Sequence, residues 1–152
     1  MKDGGLQDDS KEQWDRRFAE LLQEIRVAQT GGQILFAFLL TLPFYNRFGE
    51  IDGVDKVVYV LTLLAATASM ALLIAPVSYH RQVFRQGRKP QLVTTASTLA
   101  QAGLGAFLVA LSGAVFLVID VVAGLTWAAI LCAATVLVYV LLWYVLPAVD
   151  RD

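Results

Sequence analysis

The sequence predicts an all-α integral membrane protein, a four-helix bundle with an N-terminal amphipathic cytosolic helix. Three observations carry this reading. Four stretches without a formal charge run from Val27 to Asn46, Val57 to Tyr79, Gln91 to Ile119 and Val121 to Val149. Each can hold a helix of about 20 residues, enough to cross the roughly 30 Å of hydrocarbon in a bilayer. The composition is 57% hydrophobic and only 16% charged, and mean hydropathy is +0.61, far from an ordinary soluble domain. The charges fall almost entirely between the apolar stretches and at the chain ends.

Residues 1–10 (MKDGGLQDDS) are polar and glycine-containing and are expected to be disordered. Residues 11–149 then form a single membrane domain. The first 26 residues carry twelve charges and lack a compact apolar core ending in a cleavage site, so no signal peptide is expected. Ser10 suits a helix N-cap, and Glu12 and Asp15 favour the positive end of the helix dipole. Trp14, Phe18, Leu21, Leu22, Ile25 and Ala28 recur at spacings of three and four, which predicts an amphipathic helix over 11–27. Glu12 and Arg16 sit four apart on its polar side and are placed to pair. Such a helix suits the inner membrane surface or the underside of the bundle; a groove on a partner protein needs the same pattern.

The spans are expected at about 28–46, 57–79, 94–119 and 124–146. Ten of the twelve basic residues fall on one side of such a topology: Lys2, Lys11, Arg16, Arg17, Arg26, Arg81, Arg85, Arg88, Lys89 and Arg151. Only Arg47 and Lys56 fall on the other side, beside Glu50, Asp52 and Asp55. The positive-inside rule then makes both termini cytoplasmic and Arg81, Arg85, Arg88 and Lys89 a cytosolic basic loop. Phe44, Tyr45, Phe48, Tyr59 and Trp127 are expected near the outer interface, and Tyr79, Trp143 and Tyr144 near the inner one. Pro76, inside span two, predicts a kink with a neighbouring polar group serving the freed carbonyl. Gly31-Gly32 marks a place where the first helix either bends or runs through.

Small residues suggest how the helices meet. Ala102, Ala106, Ala110 and Ala114 recur every four residues in span three, and Ala65, Ala66, Ala68 and Ser69 lie in span two. In lipid, helices associate through close backbone approach, so these rows mark contacts within the monomer or between copies. Polar groups gather in the cytosolic third: Gln29, Thr30 and Gln33 in span one, Ser78 and His80 at the end of span two, and Thr94, Ser97, Thr98 and Gln101 in span three. A polar pocket open to the cytosol produces this asymmetry, and so does interhelical hydrogen bonding for packing alone.

Asp120 is the one acid in the C-terminal helical pair before the chain end and is the candidate proton or ion site. A structural role in the turn with Gly124 is the competing assignment, and proton binding would need apolar surroundings or a cation such as Arg47 or Lys56. His80 beside Arg81 reads as an interfacial loop histidine or a pH-sensitive group. Cys132, the sole cysteine, reads as an inert thiol in the last span. With one histidine, one cysteine and no intramembrane acid pair evident, no enzyme, no cofactor and no metal site is expected. A net charge of −1 marks no nucleic-acid partner; the expected partners are the lipid bilayer, a second copy of the chain, or another membrane protein.

The run from Glu20 to Phe44, ELLQEIRVAQTGGQILFAFLLTLPF, followed by IAPVSYHRQVFRQGRK from Ile74 to Lys89, resembles a family of small bacterial four-helix membrane proteins. That family is defined as a domain of unknown function, and its members sometimes bear a sodium/proton antiporter label. The resemblance covers roughly residues 12–147 and implies four spans in a bacterial plasma membrane. It implies no set of catalytic residues. Two functions are therefore expected in competition. One is a non-enzymatic scaffold or regulator that binds a partner through its cytosolic surfaces. The other is a small proton-coupled cation transporter, for which an acid near mid-membrane is the usual signature.

Overall fold

A computed structural model describes residues 3–83 and 89–146 of the chain. Four long helices follow one another: α1 (Asp3–Thr41), α2 (Gly53–Val83), α3 (Lys89–Ala123) and α4 (Leu125–Val140). Two short 3-10 turns, Leu42–Phe44 and Asn46–Glu50, join α1 to α2, and α4 continues as a π-helical turn over Leu141–Val145. Each helix contains an apolar segment long enough to cross a membrane: Leu22–Phe44, Gly53–Ser78, Thr95–Ala123 and Leu125–Val145. The fold is all-α and multi-pass.

Helix α1 includes residues 3–10, where disorder was expected. The helix also passes Gly31 and Gly32 without a break. Gly32 is buried, and a Cβ there would strike the methyl end of Met70 on α2, so the missing side chain serves close approach and not a bend. Of the apolar face expected on this helix, Ile25 is buried and Ala28 half-buried, both packed with Leu73 and Ala100. The side chains of Trp14, Phe18 and Leu21 lie outside the described residues.

The centre of the bundle is the antiparallel pair α2–α3, the most extensive helix interface. Along α2 the residues Asp55, Tyr59, Thr62, Ala66, Ser69, Leu73 and Pro76 are all buried, at spacings that alternate four and three. Along α3 the buried or half-buried series is Ala96, Ala100, Gly103, Phe107, Ala110, Ala114 and Leu117, with the same alternation. A repeat of 3.5 residues keeps both series on the facing seams of two helices crossing at a shallow angle. The row Ala102–Ala106–Ala110–Ala114, expected from its strict spacing of four, is only partly used: Ala110 is buried, Ala106 and Ala114 half-buried, and Ala102 exposed. A spacing of four advances about 40° around the helix at each step, so such a row winds off the contact face.

Polar groups tie the seam together. The Ser69 hydroxyl donates to the Gly103 carbonyl at 2.9 Å, where a Cβ on Gly103 would meet Leu73 at 2.9 Å. A Cβ on Gly113 would meet the Thr62 side chain even more closely. Helix α1 packs across α2 and α3, held by Tyr59, whose hydroxyl donates to the Leu39 carbonyl at 2.9 Å. Pro76 is fully buried within α2, and the Gln29 amide donates to the Leu73 carbonyl, one turn earlier, at 2.9 Å. Pro76, lacking an N–H, leaves the Leu72 carbonyl without its helical donor, and the α1 side chain bonds the neighbouring Leu73 carbonyl instead.

Helix α4 leans on α3 alone among the extensive interfaces. Gly124 makes the whole connection, with φ 85° and ψ 166°, a conformation open to glycine and strained for other residues. Its N–H bonds the Asp120 carbonyl at 2.9 Å. Cys132 approaches the Ser112 carbonyl at 3.4 Å, and Ala128 is the buried residue of the helix. Leu125, Ile130, Leu137 and Val138 are each more than half exposed. So broad an apolar face suits hydrocarbon and not water.

Candidate functional site

The feature with the most chemistry lies at the end of the bundle where α1 turns into α2 and α3 turns into α4. Asp52 is the N-cap of α2: its carboxylate Oδ1 accepts the Asp55 N–H at 2.8 Å. Asp55 therefore stands in the first turn of α2, at the head of the buried seam, and only 6% of it is exposed. In a reciprocal capping box the acid at this position reaches back to the N-cap N–H. Here the Asp55 side chain turns inward to α3, and its carboxyl lies within hydrogen-bonding reach of the Asp120 carboxyl. Its Oδ1 is fully buried and has no donor among the described residues.

Mostly apolar side chains surround Asp55. Leu117, Val118, Val121 and Val122 of α3 share one cavity wall with Leu42, Phe48, Ile51 and Asp55, around a volume of about 240 Å³. An adjoining cleft of about 400 Å³ is lined by Tyr45, Phe48, Glu50, Asp52, Asp55 and Val121, which brings further acidic groups to its mouth. Phe48 folds back from the 3-10 turn and packs edge-on against Tyr59, with ring centroids 4.9 Å apart. Tyr59 lies one turn beyond Asp55, but its hydroxyl is directed to Leu39, so it is not the missing donor.

Asp120 stands in two contacts. Its backbone belongs to the turn at Gly124, and its half-buried side chain belongs to a carboxyl pair. Of the cations considered as partners, Lys56 is exposed, and the Arg47 side chain lies outside the described residues. The sequence reading missed Asp55 because it began span two at Val57 and left the residue in a loop. Two signals mark it: the pattern Asp52-Gly53-Val54-Asp55, which caps a helix starting at Gly53, and the alternating four-three spacing that begins at Asp55.

Of the polar residues expected at the opposite end, the described ones are placed as follows. Gln29 serves the α2 backbone, and the Thr30 hydroxyl donates to the Arg26 carbonyl of its own helix at 3.0 Å. Gln33, Thr98 and Gln101 are exposed. Gln101 does line a cleft of about 210 Å³ with Glu24, Ile25, Ala28, Leu73 and Ser97. Glu24 and Ser97 are thus the polar neighbours that the structure brings to Gln101. The side chains of His80, Arg81, Arg85, Arg88, Lys89 and Thr94 lie outside the described residues. Among the described residues no group of three or more histidine, cysteine, aspartate or glutamate side chains is arranged to hold a metal ion.

Four apolar helices with their hydrophobic faces turned outward, sealed along a small-residue seam, define a multi-pass helical membrane protein. Within that class, the chain belongs to the family of unknown function DUF6328, which it matches over residues 7–147. Neither a curated protein nor a solved structure matches the chain.

Proposed function

We propose that this protein is a non-enzymatic scaffold or regulator of the bacterial plasma membrane, acting by contact with another membrane protein or a second copy of itself. The observation that supports this most is the reach of α1. Its apolar segment starts at Leu22, yet the helix begins at Asp3, so residues 3–21 extend about 28 Å ahead of the span. That arm carries charges of both signs, with Asp15, Arg16, Arg17 and Glu20 in succession on its final turns. The distribution of lysine and arginine favours cytoplasmic termini, which would put the arm and the basic segment Arg81–Lys89 on one face. Deleting residues 1–18 is expected to abolish co-purification of a specific partner after crosslinking in membranes. Unchanged recovery of that partner would remove the arm from the function.

A second reading, a small proton-coupled cation transporter, is favoured by one observation, the contact between Asp55 and Asp120. Ionisable groups at membrane depth are the usual signature of coupled transport. In proteoliposomes, sodium- or potassium-driven proton flux above empty vesicles, lost in Asp120→Asn, would move the function to exchange. Absence of flux across a range of pH with both cations would leave the scaffold reading in place.

A further inference from the structure

We propose that Asp55 and Asp120 form a proton-binding site, two carboxyl groups holding one proton between them. Three observations converge on it. The two side chains come from different helices and meet within hydrogen-bonding reach, although neither acid in its charged form has a proton to donate. Asp55 is 6% exposed, and its buried Oδ1 finds no donor among the described residues. Asp55 also lines a mostly apolar cavity with Leu42, Leu117, Val118 and Val122.

Two carboxylates in contact in such a place cannot both be ionised without a large repulsion. A proton on either one supplies the missing donor and satisfies both, giving a short charge-assisted O–H···O bond. The proton belongs to the pair and not to either residue. The described groups around it fit this reading. On α2, Asp52 is committed as N-cap to the Asp55 N–H, and Tyr59 bonds Leu39. Glu50 and Tyr45 line the adjoining cleft with Asp55, and Lys56 is exposed. Helix α1 contributes Leu39 at this level, and the turn that follows it contributes Leu42. A metal ion would need more ligands than two carboxylates, and no such group of three is arranged among the described residues. This inference is independent of whether the protein transports anything.

The test is infrared spectroscopy of the full-length protein in lipid nanodiscs at neutral pH, following the carbonyl band of protonated carboxyl groups and its shift in heavy water. The wild type is expected to show one such band. Asp55→Asn should lose it, because one of the two carboxyl groups that share the proton is gone. Asp120→Asn should lose it too, because the asparagine amide supplies the donor that the shared proton supplied. The proposal is overturned by the absence of the band in the wild type, a measurement that needs no variant. It is equally overturned if the band survives in Asp55→Asn or Asp120→Asn, which would assign the proton elsewhere or to Asp55 alone. Helix content and monodispersity of each variant confirm that a lost band reports the pair and not unfolding.

Discussion

At Gly113 the space for a side chain is already occupied by Thr62, down to the threonine Cβ at 3.0 Å. Threonine is branched at that atom and cannot swing clear, so Gly113→Ala is expected to destabilise the protein by about 1–3 kcal/mol. Thr62→Ala in the same chain should restore part of that loss, as expected for residues in direct contact. Gly32 is the informative contrast, because what blocks its Cβ is the far end of Met70. Methionine has three rotatable bonds and gives way, while alanine is favoured over glycine within a helix. Gly32→Ala should therefore change stability by less than about 1 kcal/mol. Denaturation midpoints in mixed detergent micelles separate the two cases. A Gly113→Ala protein as stable as wild type would show that the seam is looser than these contacts require.

The helices show which parts of the pattern were legible. Their number and apolar extent follow from runs of uncharged sequence, because hydrocarbon tolerates no unpaired backbone and few charges. Their ends were less legible. Helix α2 begins at Gly53, ahead of the uncharged run that starts at Val57, because Asp52 supplies a cap that lets an acid start the buried seam. The start of α4 turns on a single residue. Gly124 has φ 85° and ψ 166°, so Gly124→Ala is expected to cost about 1–3 kcal/mol and to loosen α4 from α3. Faster labelling of Cys132 by a membrane-permeant maleimide would read that loosening, since the thiol now rests against the Ser112 carbonyl. Unchanged labelling and stability would mean that the turn relaxes into a conformation other residues accept.

Across the whole molecule the four spans return the chain to the side from which it started, and the lysine and arginine distribution predicts that side to be the cytosol. A Glu50→Cys variant in a Cys132→Ala background should react with a membrane-impermeant maleimide added to intact cells. Lys11→Cys in the same background should react only after the membrane is opened. The reverse pattern would invert the topology, and with it the assignment of the α1 arm to the cytosol. The acidic end holding Asp55 and Asp120 would then face inward, so the same experiment decides from which side a proton reaches the pair.

Class, span number and the expected orientation follow from the chain itself, because they depend on local hydrophobicity and on the positions of charges along it. Contacts between spans do not. Span three carries small residues on several faces, and only the packed pair decides that Ala96, Ala100, Gly103 and Ala110 face α2 while Ala102 does not. Gln29 is one of several polar residues in its third of the span, and only the packing shows that its amide meets the Leu73 carbonyl of α2. Asp55 and Asp120 lie 65 residues apart on helices running in opposite directions, and no local pattern joins them. Only the antiparallel register of α2 and α3, set by close glycine and serine contacts in the middle of the seam, brings the two carboxyl groups together at its end.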